Sequence, residues 1–149
     1  MRAISLFGLV VLLGATSCTG EEAAQPAEPT PTVLVCEMRV EAPAGFDKVT
    51  SEQVEQGPTV GVRTFYSAPD GRNIVYTAGV LMDFFEEPPE AEVRLADGTD
   101  GWLFGGSRNK WILFWYQDDS CKQFSIGGQG FSRSQFISQM RELGVLPSG

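Results

Sequence analysis

Four hydrophobic patterns follow one another along this chain. The first is an apolar stretch, residues 4–13, interrupted by Ser5 and placed just after the basic Arg2. At about 1.5 Å per residue its helix falls well short of the roughly 30 Å hydrocarbon core of a bilayer. The run therefore predicts a signal peptide, residues 1–17, rather than a permanent span. The second pattern is its opposite. Residues 19–32, "TGEEAAQPAEPTPT", hold no large apolar side chain, and glutamate and proline recur through them. Such a stretch cannot bury enough surface to offset the entropy of ordering, so it predicts an extended, disordered tether.

The third pattern is strand-like and occupies most of residues 33–149. "VLVCEMRV", residues 33–40, predicts a first strand, broken by "PAG" at 43–45. "TVGVRTFY", residues 59–66, alternates and sets Val60, Val62, Thr64 and Tyr66 on one side. "SAPDGRN" follows. Its proline presets φ and its glycine accepts a positive φ, so it predicts a turn into the return strand "NIVYTAGVLM", residues 73–82. "AEVRLA", residues 91–96, leads through the turn "DGTDG" to "WLFGG", which pairs with "NKWILFWYQ". "QDDS" then turns the chain into "CKQFSI". Residues 111–116, "WILFWY", are apolar on both faces, as a central strand covered on both sides requires.

The fourth pattern is helical. Phe136, Ile137, Met140 and Leu143 form one stripe. Ser132 and Gln135 have capping-box spacing, and Phe131 and Phe136 flank them as a hydrophobic staple. Gly144 supplies the C′ residue and Pro147 stops continuation. The stripe is expected to lie on the sheet. The patterns together predict an α+β fold, with a curved antiparallel β-sheet of about six to eight strands and a C-terminal helix packed on one face. All three Trp, all three Tyr and all but one of the ten Phe fall in this single domain, residues 33–149, enough for one core.

Cysteine usage sharpens the picture. The three cysteines are Cys18, Cys36 and Cys121, and an odd count in an exported chain leaves one thiol to explain. Ala15, Thr16 and Ser17 precede Cys18. Ala15 and Ser17 suit the small pockets of an ordinary signal peptidase. The same stretch resembles a bacterial lipobox, with Ala15 at the aliphatic position. Both routes cut before Cys18 and differ in whether it carries lipid. Acylation of Cys18 leaves Cys36 and Cys121 to pair, a bridge worth roughly 4–5 kcal/mol in the chain-entropy model. A redox-active pair would want CxxC-type spacing.

Charge and composition narrow the function. Lys and Arg number 11 against 19 Asp and Glu, a net charge of −8. That balance argues against a nucleic-acid binder and against broad adhesion to anionic headgroups. With no histidine, Ser-His-Asp and Cys-His sites are excluded, and the commonest metal ligand is missing. "DGTDG" at 97–101 lacks the distal ligands of a calcium loop and reads as a turn. "GGQGFS" at 127–132 reads as the entry to a capped helix rather than an anion site. No catalytic residue, metal site or cofactor is expected. Two candidate contact regions remain. One is Phe84 and Phe85 in "FFEEPPE", adjacent and so pointing oppositely in an extended chain. The other is whichever face of the row Trp111, Leu113, Trp115 the helix leaves uncovered.

The domain resembles a family of extracytoplasmic bacterial domains of unestablished activity, carried on lipoproteins and on single-span, anti-sigma-type membrane proteins. The likeness rests on Pro-x-Gly-Phe at 43–46 and on the hairpin residues Tyr66, Asp70, Gly71 and Ile74. It continues in the strand at 111–116, in "FSRSQF" at 131–136 and in "LGVLP" at 143–147. It covers roughly residues 40–147 and implies a curved antiparallel sheet with a C-terminal helix against it. The expected function is a non-enzymatic binding or interaction module. It would be held on the extracytoplasmic face of a cell or outer membrane by acylated Cys18. Its partner would be an envelope protein. The alternative is a carrier of a lipid or other apolar ligand between sheet and helix.

Overall fold

A computed structural model describes residues 33–56, 59–80, 88–106, 108–117, 121 and 123–149. The chain divides into two units, Met1–Thr30 and Pro31–Gly149, and the fold below is that of the second. Among the described residues it has eight strands and then one helix. The strands are β1 (Leu34–Cys36), β2 (Asp47–Gln56), β3 (Thr59–Ser67), β4 (Asn73–Ala78), β5 (Ala91–Arg94), β6 (Asp100–Gly106), β7 (Lys110–Tyr116) and β8 (Gln123–Gln129). The helix is α1 (Arg133–Glu142). All the strands join one open sheet in the order β1-β3-β4-β8-β7-β6-β5, with β2 alongside β3.

Local chemistry makes the hairpins. Between β3 and β4, Gly71 N–H donates to Ala68 O at 3.0 Å with Gly71 at φ +85. The Asp70 carboxylate accepts from Arg72 N at 3.1 Å and from Arg72 Nε at 2.7 Å. The Arg72 amide, first, and then its side chain hold the Asp70 carboxyl below the usual carboxylate range. Between β5 and β6, "DGTDG" forms a hairpin turn in which Thr99 N–H donates to Asp97 Oδ1 at 2.9 Å.

The sheet is mixed, not purely antiparallel. The first strand is three residues long rather than the eight of the stretch 33–40, and it runs parallel to β3. Its place follows from how β3 is shared. β2 takes one edge of β3 along its whole length, while β1 (opposite 59–61) and β4 (opposite 62–67) divide the other. The changeover lies at Gly79, where the chain leaves β4 with φ +69 and donates its N–H to Gln123 O at 2.8 Å. The return strand therefore ends at Ala78, and residues 81–82 of its expected extent lie outside the described residues. Cys121 likewise sits just before β8 rather than in it.

β2, "DKVTSEQVEQ", carries no sequence signal of a strand. Nearly all of it is exposed, so neither face needs apolar residues. Its register instead comes from β3, through Ser51 Oγ and Thr64 Oγ1 at 2.9 Å and an exposed Glu52–Arg63 pair at 3.7 Å. The register slips between Lys48 and Thr50, leaving Val49 64% exposed, the irregularity by which edge strands resist further pairing.

The core lies on one face. Cross-strand rows Thr64–Tyr76–Ile126–Leu113–Leu103 and Ala78–Phe124–Trp115 share it and are buried. Phe46, Phe131, Phe136, Met140, Val145 and Leu146 complete the same cluster. Fully burying a side chain such as Phe131 or Phe136 contributes about 1.5–3 kcal/mol. The capping box is present. Gln135 N–H donates to Ser132 Oγ at 3.3 Å and Ser132 N–H to Gln135 Oε1 at 2.8 Å. The Phe131 and Phe136 rings meet edge to face at 6.0 Å. Past the helix, Gly144 adopts φ +67, and Ala96 N–H donates to Val145 O at 2.9 Å, tying the tail to the β5–β6 turn.

Candidate functional site

After β1 the chain forms a strap, residues 37–41, fastened at both ends. At one end Cys36 and Cys121 are joined in a disulfide, with S–S 2.07 Å. At the other, Tyr76 Oη on β4 donates to Glu41 O at 2.9 Å. Burial pushes the Tyr76 phenol well above its ordinary pKa, and neighbouring Tyr66 adds to the shift. The hydroxyl therefore stays a donor across the physiological range. Met38 and Val40 turn toward the core, while Glu37 and Arg39 stay exposed.

A cleft of about 750 Å³ opens beside the strap, with Leu34, Val35, Met38, Trp115 and Phe124 among its apolar walls and Glu37, Arg39 and Gln117 at its polar margin. A second hollow of about 280 Å³ shares Arg39, Val40, Trp115 and Gln117 with it and reaches Leu143, just past α1. Trp115 thus lies under both. The first volume lies within the roughly 300–1,000 Å³ of small-molecule sites and the second just under it, and both linings mix polar and apolar groups.

The expected contact residues fall into three groups. Trp115 is 5% exposed, stacked on Phe124 at 5.9 Å, and lines the cleft. Trp111 belongs to the other end of β7. It is half-buried, and its Nε1–H donates to Phe131 O at 2.9 Å, so it anchors the segment leading into the helix. The structure therefore does not unite Trp111 and Trp115 in one site. Phe84, Phe85 and Cys18 lie outside the described residues.

The opposite side of β7 carries aromatics as well, of which Tyr116 is exposed, Trp102 half-buried and Phe114 buried. There Trp102, Phe114 and Tyr116 form a three-ring cluster, with centroids 6.2 Å (Trp102–Phe114), 5.8 Å (Trp102–Tyr116) and 4.9 Å (Phe114–Tyr116) apart. Tyr116 is 41% exposed. On this face run two cross-strand rows, Phe65–Val75–Gly127–Ile112–Phe104 and Arg63–Thr77–Ser125–Phe114–Trp102, the second ending in two members of the cluster. The double-sided apolarity of 111–116 was the available signal for this face. Which of its alternating sets met the core could not be read from β7 alone.

Among the described residues, no group of three or more His, Cys, Asp or Glu is placed to hold a metal ion, and no helix is long and apolar enough to cross a membrane. Among the described residues the groups with displaced pKa values are Asp70, in a turn, and Tyr76 on β4, whose hydroxyl holds the strap. Beside the strap the arrangement offers concave surface in which polar and apolar groups alternate. Comparison with known protein families, curated proteins and solved structures finds no match for this chain.

Proposed function

We propose that this chain is an exported bacterial lipoprotein, acylated at Cys18. Residues 19–32 serve as its tether, and its folded domain is a non-enzymatic binding module on the extracytoplasmic face of the envelope. The observation that carries the reading is the Cys36–Cys121 disulfide. Such bridges persist in oxidising compartments. This one uses two of three cysteines, so the remaining Cys18, behind a short apolar run and small residues, is the natural modification site. Two acyl chains anchor stably, at about 0.8 kcal/mol per buried CH₂. The resemblance to extracytoplasmic lipoprotein domains points the same way. So does a helix resting on the core face of the sheet, which is supported by Gly128: a Cβ there would come within 2.6 Å of Phe136 Cδ2.

The test is Cys18→Ser followed by cell fractionation. Release of the protein from the membrane fraction is the expected result. Unchanged membrane association overturns the anchoring.

A second reading, carriage of an apolar ligand, is favoured by the cleft beside Trp115. Native mass spectrometry of the purified protein separates the two. A bound lipid mass lost on Met38→Trp, which fills the cleft, would make the protein a carrier. A clean apo mass leaves it an interaction module.

A further inference from the structure

Gly127 is a glycine for which the fold supplies no steric reason. It sits in the middle of β8, opposite Val75 of β4 and Ile112 of β7. A Cβ there would meet nothing within 4 Å among the described residues, and its φ is not positive. Its neighbour Gly128 is different, since a Cβ there would strike the Phe136 ring. One glycine of the pair is required by core packing and the other is not. Glycine weakens a strand interior and often marks a place where another molecule approaches the backbone closely. A residue that breaks a local rule without a local gain is where function is to be sought.

What Gly127 leaves open is a bay of about 250 Å³ on the outer face of the sheet. Phe65, Val75 and Ile112 wall it, and Thr77 and Arg63 stand on the adjoining row. Arg63 is the cation in its lining. Its guanidinium meets the exposed Glu52 carboxylate in one loose contact at 3.7 Å, and a guanidinium carries five donors in a fork that matches a carboxylate.

We infer that this bay binds a small ligand bearing a flat apolar ring and a carboxylate. The ring lies over Gly127 between Val75 and Ile112, and the carboxylate pairs with Arg63. The volume sets the size, because the bay falls just under the roughly 300 Å³ at which drug-sized pockets begin. Arg63 sets the charge. The inference rests on reading the domain as a binding module and is independent of acylation.

The experiment is an amide-resolved NMR titration of the purified protein with phenylacetate, with benzyl alcohol and acetate as comparison probes. Phenylacetate is expected to give saturable shifts at Val75, Ile112 and Gly127. Benzyl alcohol should bind about tenfold more weakly, the value of one charge-assisted pair, and acetate alone should leave these amides unmoved. Gly127→Val is expected to fold and to abolish the shifts. Arg63→Gln should bring phenylacetate down to the level of benzyl alcohol, and Glu52→Gln should tighten phenylacetate by removing a competing carboxylate. The inference is overturned by unshifted bay amides at saturating probe or by shifts that persist in Gly127→Val. Shifts centred on residues 37–41 overturn it too. If Gly127→Val does not fold, the Arg63→Gln comparison decides alone. Failure here leaves the anchoring reading intact, because fractionation of Cys18→Ser reads a different property.

Discussion

Tyr76 and Glu41 are joined across 35 residues of sequence by one hydrogen bond, from the phenol to the carbonyl oxygen at 2.9 Å. The bond closes the far end of the strap beside Trp115. Tyr76→Phe keeps the ring and deletes the donor, leaving a partly buried carbonyl without its partner. A loss of about 1 kcal/mol is expected in urea denaturation. The same residue predicts a pH dependence. Its folded pKa lies above the unfolded value near 10, so its contribution is complete below about pH 10 and declines as pH rises beyond that. Tyr76→Phe should flatten this alkaline limb. An alkaline limb identical to that of the parent would show that other groups set it.

The near end of the strap is covalent. Cys36 and Cys121 are 85 residues apart in sequence, and the chain-entropy model assigns such a loop about 4–5 kcal/mol. Replacing both with Ala should lower the unfolding free energy by an amount of that order, measured by urea denaturation of both proteins without reductant, so that the parent keeps its bridge. A loss below about 1 kcal/mol would mean that noncovalent contacts of Met38 and Val40 already hold the strap.

Two glycine substitutions should move stability in opposite directions. At Gly79 the backbone is left-handed, and an added Cβ would overlap the Cys36 side chain. Gly79→Ala is therefore expected to cost about 2 kcal/mol or more. Gly127→Ala meets nothing within 4 Å among the described residues and should be neutral or stabilising by up to about 1 kcal/mol. Thermal melts of the two variants side by side check the contrast.

Ser132→Ala removes the side-chain half of the capping box at α1. The expected cost is about 1 kcal/mol, read from chemical denaturation together with the helical circular-dichroism signal. Gln135→Ala, which removes the reciprocal bond to Ser132 N–H, should cost less, because the freed amide is exposed to water.

Most hairpins and the helix were legible because their signals are local. Pro69-Asp70-Gly71 carries its own turn, and Ser132 and Gln135 carry their own cap. β2 was invisible for a physical reason. A strand exposed on both faces needs no apolar alternation, and its evidence is the ladder to β3, which no reading of residues 47–56 contains. The first strand was overextended because Met38 and Val40 are apolar for the strap's sake, not for a ladder. Trp111 and Trp115 were rightly placed on one face, yet they serve different ends of it. One bonds to Phe131 O and the other floors the cleft.

By itself the sequence determined where the chain turns, where its helix starts and stops, and which residues must be buried somewhere. These are properties of neighbours, written within a few residues of one another. Tertiary structure decided that β8 enters between β4 and β7, and that β1 runs parallel to β3. It decided also that the aromatic cluster and the bay over Gly127 lie on the face opposite the core. Those outcomes depend on burying whole faces at once, a sum over contacts far apart in sequence, and no single stretch carries it.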